Sequence, residues 1–169
     1  MAVVTRLVTV VDIDDRTVPA EVLDAPVLDG PAPDDAEPAA VPMITGAAAD
    51  VGDPREMSLS ALHLAVLEDG RRLTLLDDRG WGVHGPPDIW RRTSVEEIEA
   101  DARMVVGPDA PYGDHSAADM EAGHWSYLTG ILRRQGVRVE ADELRRLPHE
   151  VEISERLRTR ITGIPGNRL

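Results

Sequence analysis

The chain has no cysteine, no phenylalanine and no lysine, and only one asparagine (Asn167) and one glutamine (Gln135). Without cysteine there is no disulfide framework, no thiol nucleophile and no thiolate metal site. Without lysine, Schiff-base and pyridoxal chemistry are excluded. Lys, Phe and Asn are encoded by AT-rich codons, so their scarcity points to a GC-rich bacterial genome. It also means that the 18 basic residues are all Arg. Arginine here is therefore a product of codon supply and not in itself a sign of bidentate anion binding. Gly-x-x-x-x-Gly-Lys does not occur, which removes the lysine-bearing phosphate-cradling loop. No cofactor is expected. No apolar run approaches the roughly 20 residues that a membrane helix needs. The start of the chain lacks the basic and long apolar blocks of a secretory signal. A soluble cytoplasmic protein without a membrane partner is the expectation.

What is present is acidity, unevenly spread. The formal charge is −13 over 169 residues. Residues 1–56 hold three Arg and twelve acids, whereas residues 57–169 hold fifteen Arg and nineteen acids. Net negative charge repels phosphate backbones at long range, which argues against a nucleic-acid partner and is compatible with a basic protein. It also serves solubility alone. Residues 25–53 are rich in Pro, Ala, Asp and Gly, with no sustained period and no aromatic residue. Such a stretch buries too little apolar surface to offset backbone ordering, so disorder is expected. The domain division is then 1–56, an acidic segment with a short strand at 2–11, and 57–169, a single domain. On this reading Met57 is an alternative start and residues 1–56 are dispensable.

The fold is organised around residues 62–83. Two apolar runs flank Asp69-Gly70, a dipeptide suited to a two-residue hairpin turn. That turn pairs Glu68 with Arg71, Val66 with Leu73 and Leu64 with Leu75. A second turn at Asp78-Arg79-Gly80 would return Trp81 to Val83 as a third strand. Ser94 with Glu97 reads as a capping box, and Val95, Ile98 and Ala102 follow as one stripe of a helix over 95–103. Residues 104–106 read as a short buried strand. Ser116 and Asp119 start the longest helix, 117–135. Met120, His124, Leu128, Ile131 and Leu132 line its inner face, with Trp125 and Tyr127 at the edge. Gly136 is its left-handed stop. Val137 to Val139 is a further strand candidate, and 141–147 reads as a short helix capped by Asp142. Ile153, Leu157 and Ile161 space a last helix over 150–162. The class is α+β, a small antiparallel sheet covered by helices.

Candidates for chemistry centre on His115, Glu121 and His124. Glu121 and His124 have the Glu-x-x-His spacing that puts both side chains on one helix face, as di-iron bundles require. Those bundles need the motif twice, and no second copy occurs, so no metal site is expected. His124 also lies four residues from both Met120 and Leu128, where a core histidine would sit. His115 beside Asp114 is placed to act as a general base. It lacks a nucleophile, because no Ser lies in a Gly-x-Ser-x-Gly elbow, and Ser116 is explained as a cap. Trp81 and Trp90 lie near Gly80, Gly82, His84 and Gly85, and indole is favoured at binding hot spots. In a chain without Phe the same rings are also natural core residues. Tyr112, in the acidic loop 108–114, is the clearest exposed contact residue. Residues 133–146 carry five Arg against three acids, the one locally basic stretch, and read as solvated helix faces.

Three functional readings follow. The first is a non-enzymatic protein-binding domain, in its most concrete form an acidic inhibitor or immunity-type partner of a basic protein, using Trp81, Trp90 and Tyr112. The second is a small metal-dependent or His-based hydrolase built on His115, Glu121 and His124. The third is an accessory subunit of a larger complex.

Overall fold

A computed structural model of the chain describes residues 2–15 and 54–163. The stretch for which disorder is expected, and the acidity concentrated in it, fall outside the described residues. The architecture is α+β. Strands β1 (Val4–Ile13), β2 (Glu56–Leu67), β3 (Arg72–His84) and β4 (His149–Ile153) form one sheet in the order β3-β2-β1-β4. The sheet is mixed and not purely antiparallel: β2 runs antiparallel to β1 and β3, while β4 runs parallel to β1. The helices are α1 (Ile89–Arg92), α2 (Val95–Val105), α3 (Ala117–Arg134), α4 (Ala141–Arg145) and α5 (Glu155–Thr162).

The alternation of side chains along a strand decides which face is covered. Leu7 and Val11 of β1, Met57, Leu59, Ala61, Ala65 and Leu67 of β2, and Val151 and Ile153 of β4 share one face. Two apolar clusters cover it. In the first, Leu7, Ala65 and Leu67 pack with Leu75, Leu76, Val106, Leu128, Leu132, Val137 and Leu144. In the second, Val11, Met57 and Leu59 pack with Ile89, Ile98, Ala102, Leu157 and Ile161. Helix starts are set locally. Capping boxes open α2 (Ser94 with Glu97) and α3 (Ser116 with Asp119), as expected. Gly136 takes a φ of 83° after α3, as a left-handed stop requires.

On the opposite face Arg72 of β3 reaches Glu152 of β4 with two hydrogen bonds of 2.7 and 2.8 Å. β3 and β4 are the two edges, so this clasp spans the inner strands. By register it passes over Val8 and Leu64, which are buried.

The structure corrects several expectations. The hairpin turn has three residues, not two. Leu67 N–H donates to Arg71 O, and Gly70 N–H to Leu67 O. Gly70 takes a φ of 84°, so the register shifts by one and Val66 pairs with Arg72. Nor does the chain turn at 78–80: β3 continues to His84, because β2 begins at Glu56 and supplies partners that far. An irregularity takes up Asp77 and Asp78, since Leu76 pairs with His63 and Arg79 with Ala61. Residues 104–106 are the end of α2 and its C-cap, not a strand: Val106 N–H bonds back to Ala102 O, and Met104 points to solvent. No strand forms at 137–139. The fourth strand is β4, so the expected helix over 150–162 starts only at Glu155. Its N-cap is Ser154, whose Oγ accepts the Leu157 N–H. Helix α4 has Glu140, not Asp142, at its N-cap, with no side-chain cap bond.

The boundary drawn at Met57 divides one sheet. β1 groups with the chain after Asp53 in a single compact unit, and lies between β2 and β4.

Gly80 illustrates why a glycine stands in a strand. A Cβ there would lie 2.6 Å from the backbone oxygen of Leu59, which cannot move without breaking the ladder. Gly80→Ala is expected to lower stability by about 1–3 kcal/mol in urea unfolding.

Candidate functional site

The residues singled out from sequence do not converge on one centre. His115 is exposed at the end of the loop before α3, its ring 5.3 Å from that of Tyr112. Glu121 turns toward α4 and pairs with Arg145 at 3.0 Å. His124 is half-buried, edge-on to the Trp125 ring at 5.1 Å. Burial and the Arg79 cation lower its pKa, and Asp109 partly opposes them. Among the described residues no group of three or more His, Asp or Glu side chains is placed to hold a metal ion.

Trp81 and Trp90 are half-buried against the second apolar cluster, and Trp81 touches the first as well. Trp90 Nε1 donates to Glu56 O at 3.1 Å, and the Arg160 guanidinium stands 5.3 Å from its ring centroid. Tyr112 is 65% exposed. The loop that carries it is tied to the sheet by Arg79, which bonds Asp109 at 3.0 Å. In the basic stretch 133–146, Arg145 is engaged by Glu121.

A different polar group occupies the helix-covered face. Thr9 of β1, His63 of β2 and His149 of β4 stand side by side across three adjacent strands. Register puts them there: Thr9 pairs with His63, and His149 lies beside Leu7 in the parallel ladder. Thr9 Oγ1 is 2.9 Å from His63 Nδ1 and 2.7 Å from His149 Nε2. The two imidazole rings meet edge-on, with centroids 5.1 Å apart. Thr9 and His63 are buried and His149 is half-buried. The rung sits where the two apolar clusters adjoin, between Leu7 and Val11 on β1 and between Ala61 and Ala65 on β2.

Its electrostatics follow from that position. Burial disfavours a charged His63, and the neighbouring His149 and His124 add to the effect; its pKa is pushed down to about 3. The pKa of His149 is lowered by burial and by the Arg103 cation. One hydroxyl carries one proton, so Thr9 donates to one imidazole and accepts from the other. The rung is therefore able to pass a proton between a buried and a half-buried ring. It does not present a nucleophile, since Thr9 has no exposed surface.

None of these three residues stood out in the sequence. The only signals were a threonine within Val-Thr-Val-Val, a histidine within Ala-Leu-His-Leu-Ala, and a histidine two residues before Val151. Each reads as an ordinary strand residue until the register of three strands is known. The chain matches no family model, no curated protein and no solved structure.

Proposed function

We propose that the protein works by binding another protein through its surface, as a non-enzymatic domain whose partner is basic. The observation that carries this reading is the exposed aromatic pair of Tyr112 and His115. Their loop projects into solvent, yet Arg79 and Asp109 anchor it to the sheet. A tyrosine presented on an anchored loop costs little to order on binding, and aromatic side chains dominate contact energies. The formal charge of −13 supports a basic partner and a salt-sensitive association rate. An inhibitor or immunity-type role is the most specific form of the proposal. The indoles of Trp81 and Trp90 belong to the packing that supports the surface. The hydrolase reading draws less support, because His115, Glu121 and His124 each engage a different neighbour.

The test is capture by the immobilised full chain from source lysate at low and moderate salt. A basic protein retained by the wild type, and bound at least ten-fold more weakly by Tyr112→Ala, is the expected result. Equal retention by the variant, or no specific partner at either salt, would overturn the reading.

A further inference from the structure

The Thr9–His63–His149 rung plays no part in a loop-mediated contact, and its placement suggests another use. We propose that β4 and α5, residues 149–162, form a proton-operated latch, released from β1 when both imidazoles that share Thr9 Oγ1 become protonated, while β1, β2 and β3 stay paired.

The argument is a count of protons. With both rings neutral, Thr9 Oγ1 accepts from one imidazole and donates to the other, and every partner is satisfied. Protonating His149 alone keeps this arrangement: its Nε2–H donates to Thr9, which donates to His63 Nδ1. Protonating both rings breaks it. Both nitrogens then donate to one oxygen, the hydroxyl proton loses its acceptor, and two cations stand with ring centroids 5.1 Å apart. Opposing charge around them is scarce. His124 of α3 also faces His63, Arg103 of α2 faces His149, and Arg79 of β3 faces His124; Asp109 is the acid beside His124, and Glu99 pairs with Arg103 at 3.6 Å.

The strands differ in what holds them. Thr9 and His63 belong to the long β1–β2 ladder, whereas β4 has five residues and, among the described strands, lies at the edge and pairs with β1 alone. Separation is therefore cheapest at β4. Val151, Ile153, Leu157 and Ile161 pack in the second apolar cluster, which does not titrate, and the other polar side-chain ties of residues 149–162 run to carboxylates. Arg6 Nε lies 3.3 Å from Glu150, Arg72 holds Glu152, and Asp12 accepts from Ser154 Oγ at 2.6 Å and pairs with Arg156 at 3.2 Å. Hydrogen bonding from Arg72 lowers the Glu152 pKa. Partial burial works against the Asp12 carboxylate, but hydrogen bonds from Ser154, Arg156 and the Ile13 amide outweigh it. These two carboxylates therefore stay ionised while imidazoles titrate, which leaves the rung as the part that senses mild acid. Release bares the β4-facing edge of β1, a row of backbone groups able to pair with an extended chain.

Native-state amide exchange on the full chain, corrected for the intrinsic pH dependence of exchange, tests the latch. Uptake of one proton on opening raises the opening equilibrium by at most about ten-fold per pH unit, and uptake of two by at most about 100-fold. The expected result is a slope steeper than about ten-fold per unit, the one-proton limit, at β4 amides between pH 6 and 5, with β2–β3 amides unmoved. His149→Gln keeps an N–H donor for Thr9 but cannot titrate, and should cut the slope to about ten-fold. If that variant does not fold, the wild-type slopes decide alone. A β4 slope of ten-fold or less in the wild type, β4 exchanging in step with β2–β3, or an undiminished slope in His149→Gln would overturn the proposal.

Discussion

A fragment that begins at Met57 is expected to show no cooperative unfolding transition. It would lack β1, which lies between β2 and β4 in the sheet. Three consequences compound. Leu7, Val8 and Val11, each at most 2% exposed, are removed, and full burial of each such side chain is worth roughly 1.5–3 kcal/mol. The inner edge of β2 loses its ladder from Leu59 to Leu67, and β4 loses β1, its strand partner among the described residues. What is left of the sheet is the β2–β3 hairpin, and a two-stranded hairpin is marginal in water. Against a total stability of about 5–15 kcal/mol for a typical domain, such losses are decisive. Thermal unfolding followed by circular dichroism should give a sloping baseline with no transition, and an apolar dye should bind. Val8→Asp in the full chain probes the same strand through one side chain, and should cost more than about 3 kcal/mol by burying an unpaired charge. A sharp transition in the fragment would show that β1 is peripheral.

The place of β1 in the sheet is not legible from the sequence around it. Ala2 to Val11 is β-prone, but its partners are Leu59 to Leu67, across a connection of some forty residues, and His149 to Ile153, about 140 residues further on. Nothing local announces such pairings. Local grammar was readable. Ser94 with Glu97 and Ser116 with Asp119 are capping boxes because the donor and acceptor lie three residues apart. Leu128 and Leu132 were placed in the core by their spacing, and both are fully buried. The α+β class followed from such segments. The hairpin was legible in existence but not in register, because Asp-Gly suits both a two-residue turn and a three-residue loop ending in a left-handed glycine. Val105 and Val106 misled through their β-branching, since tertiary packing outweighs intrinsic propensity at a helix end. The candidate site was the least legible part. A hydroxyl shared by two imidazoles exists only once three strands are in register, so residue spacing carries no trace of it.

The second large effect concerns that rung, and it separates removing one partner from removing all three. Thr9→Val leaves His63 Nδ1 and His149 Nε2 facing a methyl group, and an unsatisfied buried polar atom costs about 1–3 kcal/mol. Replacing the whole set, Thr9→Val with His63→Leu and His149→Leu, leaves nothing unsatisfied and keeps the volume roughly constant. Exchanging buried polar groups for apolar ones of similar size is often neutral or stabilising. The single variant should therefore be less stable than wild type at pH 7, and the triple variant equal or better. Acid widens the gap. His63 has a folded pKa of about 3, against an ordinary 6.5. Between those values the unfolded chain binds the proton and the closed fold does not, so stability is full above pH 6.5 and drains as pH falls toward 3. At 1.36 kcal/mol per unit the whole window is worth about 4–5 kcal/mol from His63 alone. The triple variant has no such group at the rung, so its advantage should grow by at least about 1 kcal/mol between pH 7 and pH 5 in urea unfolding. That outcome would mean that the fold carries two imidazoles at its centre at the expense of stability, as a device for responding to protons would. A triple variant weaker than Thr9→Val at both pH values would instead make the rung a net structural gain and leave its acid sensitivity incidental.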